Sequence, residues 1–111
     1  MSRVYVLAAD RELSGLEPLS YYRQAVEELG YPMKPFRYEL SIENKENDLE
    51  HLRACLEANF SPEETLELWS VWVGDVNKKC PPRFRGRLAD FDPEALEQFL
   101  SAKEICFDIT I

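Results

Sequence analysis

The chain is poor in the residues from which most catalytic and metal centres are built. There is one histidine, His51, and the three cysteines, Cys55, Cys80 and Cys106, are widely spaced with no C-x-x-C pair. His51 and Cys55 are one helical turn apart, but structural zinc wants four such ligands, so no metal is expected. An odd number of scattered cysteines suits a reducing compartment in which thiols stay unbridged. Glycine occurs only four times, and neither a G-x-x-x-x-G-K-[ST] phosphate loop nor a G-x-G-x-x-G turn is present, so no cofactor is expected. No apolar run approaches the roughly 20 residues of a membrane helix, and residues 1–10 hold one base and no signal-peptide core. The expectation is a cytoplasmic chain that makes no membrane contact. Bases are scarce as well: 13 Lys and Arg against 21 Asp and Glu leave a net charge of −8, which disfavours general nucleic-acid binding.

What is present is a core. With 45% apolar and 12% aromatic residues over 111 positions, the composition is that of one globular domain, residues 1–111. A chain of this length buries roughly two-thirds of its unfolded surface, enough to hold a fold without disulfides or metal. The charge is uneven: residues 38–77 carry ten acids and two bases, whereas residues 78–87 carry five bases and no acid.

The richest stretch is 64–73, ETLELWSVWV, which holds both tryptophans and reads as a central strand. Side chains alternate across a strand, so Leu66, Leu68, Ser70 and Trp72 share one face and Glu67, Trp69, Val71 and Val73 the other. Both faces are largely apolar and need cover. Residues 3–9 (RVYVLAA) make a similar strand. Residues 35–43 (PFRYELSIE) and 104–111 (EICFDITI) alternate apolar with polar, as strands with one wet face do. Helices are expected from Pro18 to Leu29 by the spacing of Leu19, Tyr22, Val26 and Leu29, from after Asn47 to Ala58, and from Pro93 to Ser101 behind an Asp92 cap. Ser61-Pro62-Glu63-Glu64 has the form of a capping box. Residues 83–88 (RFRGRL) read as an edge strand hairpinned back onto the tryptophan strand, because charges and an interior glycine suit an edge. The fold class is thus α/β (α+β): a two-layer sandwich of about five strands in a mixed sheet with three helices, in the order β-α-β-α-β-β-α-β. Helical crossovers predict parallel neighbours for the early strands.

Three functional readings follow. The first is a protein-interaction module, an acidic inhibitor or immunity-type binder of a basic partner, supported by the net charge and by an apolar sheet face of Tyr5, Leu7, Trp69, Val71 and Val73, with Leu66, Leu68 and Trp72 replacing the last three if the tryptophan strand faces the other way. That face is expected to dock a protein partner or a second copy in a homodimer, the alternative being that one helix or the 74–82 connection covers it. The second reading is an anion or nucleic-acid binder through Lys78, Lys79, Arg83, Arg85 and Arg87. The third is a small ligand-binding protein or enzyme using the loop after the first strand, with Asp10, Arg11, Ser14 and, after the tryptophan strand, Asp75, where α/β sheets often bind ligands. No catalytic residue is singled out. Cys80, among cations, is expected to be the most reactive thiol, since neighbouring positive charge favours a thiolate.

Overall fold

The computed structural model describes residues 2–40, 47–73 and 80–111. It is a mixed α/β domain: five strands form one sheet, and three helices pack against it. In chain order the elements are β1 (Ser2–Ala9), α1 (Arg23–Glu28), β2 (Phe36–Glu39), α2 (Asp48–Asn59), β3 (Thr65–Val73), β4 (Arg83–Arg87), α3 (Pro93–Ser101) and β5 (Ile105–Thr110), with a short 3-10 turn at Leu88–Asp90. The strand order is β2-β1-β3-β5-β4. The tryptophan strand β3 is central, as its two-sided apolar pattern requires.

Strand directions differ from expectation. β1 pairs antiparallel with both β2 and β3, and β3 pairs antiparallel with β5. The only parallel pair among the described residues is β4 with β5, joined through α3. Residues 83–87 do form the expected edge strand, but not a hairpin on β3, because β5 already occupies that side of it. The connection through α1 returns the chain antiparallel, whereas that through α2 joins strands that run parallel, β2 and β3, but β1 lies between them, so neither helix produces parallel neighbours.

The first helix is shorter than its apolar spacing predicts. Pro18 forms a bridge with Tyr38, and Glu39 N donates to Glu17 O (2.9 Å) and Leu19 N to Arg37 O (3.0 Å), so residues 17–19 run extended along β2. Proline disfavours helical geometry in the residue before it, and these backbone bonds hold the stretch as a cover for the β2 edge. The third helix follows its sequence closely: Asp92 accepts from Ala95 N at 2.9 Å and Pro93 sits in the first turn. Its last carbonyls, Leu100 O and Ala102 O, accept from the Arg3 guanidinium at 2.6 and 2.7 Å, which ties the helix end to β1. At residues 61–64 the capping box closes a single turn, with Ser61 N donating to Glu64 Oε1 at 2.7 Å and no helix following.

Each face of the sheet has its own core. On one, Leu7, Leu66, Leu68, Ile105 and Ile109 pack with Leu52 and Leu56 of α2 and Leu96 and Phe99 of α3. On the other, Val4, Val6, Ala8, Trp69, Val71 and Val73 pack with Leu19 and Val26 from the α1 region. The register explains the division: Tyr5 lies opposite Ser70 and Leu7 opposite Leu68, whereas Val4 faces Val71 and Val6 faces Trp69. Tyr5 and Leu7 therefore lie on the opposite face from Trp69, Val71 and Val73, which corrects the face assembled from sequence. The apolar face expected to be open is covered by the chain itself. Trp69, Val71 and Leu7 are fully buried and Val73 is 5% exposed. Trp72 is half-buried beneath the Arg3 guanidinium, 5.1 Å from its ring. The alternative cover, a helix folding across the second face, is the one realised, and the ground for a homodimer docked there is removed.

Candidate functional site

The α1 cover stops partway across its face. Reading along β3 from its C-terminal end, Val73, Val71 and Trp69 lie under the α1 region, then the face turns polar at Glu67 and Thr65. The neighbouring strands change in step. Trp69 is flanked by Cys106 and, one strand further, by Arg83; Glu67 by Asp108 and then Arg85; Thr65 by Thr110 and then Arg87. Three arginines of the edge strand thus stand in a row on one face, because β4 has a base at every second position.

Arg83 is built into the sheet. Its guanidinium donates to both oxygens of Asp108 (3.1 and 2.6 Å) and to Glu67 Oε2 (2.7 Å), and it lies 5.3 Å over the Trp69 ring. Cys106, small and fully buried, occupies the sheet position between Arg83 and Trp69, so the arginine can reach across β5 to β3. Glu67 is only 4% exposed and also accepts from Lys34 N (2.8 Å) and Trp69 Nε1 (3.1 Å). A carboxylate so buried is tolerated because three donors replace its water. The Asp108 and Glu67 bonds hold Arg83 charged, above its ordinary value, against the opposing effect of burial. Burial pushes the Cys106 thiol well above its usual range. The Trp69 ring also stacks on Tyr31 at 5.8 Å, so the indole contacts both a phenol and a guanidinium.

Arg85 and Arg87 differ from Arg83. Among the described residues Arg85 has no ion-pair partner, and Arg87 has only an exposed 3.6 Å contact with Glu63. All five residues of β4 are exposed. On the opposite face of the strand, Phe84 is 42% exposed and sits 5.6 Å from Phe107, extending to the sheet edge the aromatic group of Phe107, Phe91 and Phe99. An open depression of about 350 Å³, lined by Lys34, Thr65, Glu67, Arg83, Arg85, Asp108 and Thr110, lies beside the arginine row.

The backbone of β4 faces two ways. Cys106 N donates to Pro82 O at 3.0 Å, and Phe84 and Gly86 lie opposite Phe107 and Ile109. In a parallel ladder alternate residues bond the neighbour, so residues 82, 84 and 86 face β5. Arg83, Arg85 and Arg87 carry their N–H and C=O groups to the outer edge, where no described strand pairs with them.

The other sequence candidates are scattered. Asp10 pairs with Lys34 Nζ at 2.6 Å. Arg11 is held by both oxygens of Glu64 at 2.9 Å and by Asn59 O, and lies over the Phe60 ring. That pairing and the Ser61 N–H keep the Glu64 carboxyl down at about 2. Ser14 is exposed and lines, with Arg11, an open depression of about 410 Å³. Arg11 ties the first loop to the 59–64 turn and Asp10 ties it to Lys34; these residues do not converge on a common point. Asp75, Lys78 and Lys79 lie outside the described residues. Cys80 is exposed at the approach to β4, Cys55 is half-buried and His51 exposed; among the described residues no group of three or more His, Cys, Asp or Glu is placed to hold a metal ion. Glu67, Asp108 and Lys34 were missed by sequence reasoning. The available signal was Glu67 itself, a lone acid on a strand otherwise apolar on both sides.

What fold and site define is a mixed α/β domain with a basic edge strand whose outer side has no partner strand among the described residues. No protein-family model, curated protein or solved structure matches the chain.

Proposed function

We propose that the chain is a protein-interaction module and that its docking element is the outer edge of β4. The observation that supports this is the exposure of all five β4 residues, with three backbone positions turned away from β5. A strand edge of this kind can take an added strand by main-chain hydrogen bonds. An anion or nucleic-acid reading has less support: of the five bases in 78–87, Arg83 is bound to Glu67 and Asp108, leaving Arg85 and Arg87 among the described residues. The exposed acids Asp90, Glu94 and Glu97 lie around α3 and not on this edge; they support a separate second reading, an acidic inhibitor of a basic partner. The unbridged Cys55, Cys80 and Cys106 support a cytoplasmic setting. No described helix is long and apolar enough to cross a membrane.

The test is cross-linking in the source cell, with a photoreactive benzoylphenylalanine replacing Phe84 in one variant and Tyr21, 85% exposed on the other side of the molecule, in a control. The expected result is an adduct with one defined polypeptide from position 84 and not from position 21. Nucleic-acid adducts, or equal labelling at both positions, would contradict the reading.

A further inference from the structure

We infer that the segment received by the β4 edge is an extended, acidic one, with carboxylates at every second residue and apolar side chains between them. This rests on the reading of β4 as the docking edge and adds the chemistry of what docks.

The outward backbone groups belong to Arg83, Arg85 and Arg87. In an antiparallel addition the residues opposite these three point their side chains to the same face as the arginines. Arg83 is already neutralised by Asp108 and Glu67, so the charges to be met are those of Arg85 and Arg87. Carboxylates opposite them would form cross-strand ion pairs. The intervening residues of the added strand fall on the other face, beside half-exposed Phe84 and over Gly86, where nothing lies within 4 Å of the place a side chain would occupy. Apolar side chains there would lengthen the Phe84, Phe107 and Phe91 aromatic group.

The same geometry weighs against a second copy as occupant. Pairing β4 with β4 through these outward positions sets arginine opposite arginine in every antiparallel register, and like charges directly opposite are destabilising. The charge of −8 over the whole chain opposes an acidic partner at long range. At physiological ionic strength that repulsion is screened beyond roughly 8 Å, whereas pairs across a strand are much closer.

The experiment titrates the whole chain with three short fluorescent peptides, alternating Glu with Val, Thr with Val and Lys with Val, and with a single-stranded oligothymidine, while backbone amide exchange is followed by NMR. The expected result is binding of the Glu peptide, weakened by added salt, with the Arg85 and Arg87 amides newly protected and those of Phe84 and Gly86 unchanged. The double variant Arg85→Glu, Arg87→Glu, checked for an unchanged fold, should bind it at least about ten-fold more weakly and gain affinity for the Lys peptide. Equal binding of the Thr and Glu peptides with the same protection would overturn the acidic chemistry and leave the docking edge standing. Protection of Arg85 and Arg87 by no peptide would overturn both. Preferential binding of oligothymidine would assign the arginines to nucleic acid and overturn the inference.

Discussion

The two faces of the sheet are closed by different means. Toward α2 and α3 the closure is mainly apolar: leucines and isoleucines from three strands meet Leu52, Leu56, Leu96 and Phe99, with Ser70 buried among them and Arg3 bonded to the end of α3. Toward α1 it is apolar only as far as Trp69, and the remainder is sealed by Arg83 lying across β5 to a buried Glu67. Apolar closure is non-directional and scales with area. Ionic closure depends on a few bonds of fixed geometry, so a single deletion should leave a buried charge without its partner. The first face carries the larger apolar cluster, and the second adds an ionic tie between the edge strand and β3.

The largest expected effect is on the apolar face. Phe99→Ala removes a fully buried ring and should cost about 3–5 kcal/mol, read from urea unfolding. On the ionic face, Arg83→Ala should cost about 1–3 kcal/mol, since Glu67 retains two of its three donors and Arg83 is itself partly solvated. It should also accelerate amide exchange in β4 more than in β1. Asp92→Ala removes the α3 cap and should cost about 1 kcal/mol with no effect on β4 exchange.

The smallest effect concerns Glu64, which is partly exposed and belongs to neither face. Its carboxyl is lowered from 4.5 to about 2 by Arg11 and the Ser61 N–H. A depressed folded value contributes stability that is complete above pH 4.5 and is lost as pH falls through about 2. Glu64→Gln should flatten the pH dependence of the unfolding midpoint in that window, lowering the midpoint slightly at neutral pH, where the wild-type contribution is complete, and leaving it unchanged near pH 2; added salt should weaken the wild-type dependence.

The apolar face was largely legible in the sequence because alternation and helical spacing report burial directly. The tryptophan strand, β5 and α3 with its Asp92-Pro93 start lie within one or two residues of where their patterns put them. The strand pairing was not legible: which neighbour β4 chooses depends on β5, which follows it in the chain and takes the place beside β3. The first helix was over-read because Leu19 and Tyr22 face the core from non-helical backbone, and apolar spacing alone does not distinguish the two. The ionic seal was legible only in part. The position of Glu67 beside Trp69 and Val71 followed from alternation, but its partner comes from sixteen residues away and two strands over, a contact that no local period encodes. For the same reason Arg83, Arg85 and Arg87 read as one basic patch, although the fold uses the first as a strut and, among the described residues, leaves Arg85 without an ion pair and Arg87 with only an exposed contact to Glu63.

That division rests on Arg83 and Glu67 acting as a unit, and a double-mutant cycle measures it directly. If they do, the stability loss of Arg83→Ala should shrink in a Glu67→Gln background, with a coupling of about 0.5–3 kcal/mol by urea unfolding. Losses that add to within about 0.3–0.5 kcal/mol would mean that Arg83 does not seal the sheet and would return it to the same exposed row as Arg85 and Arg87.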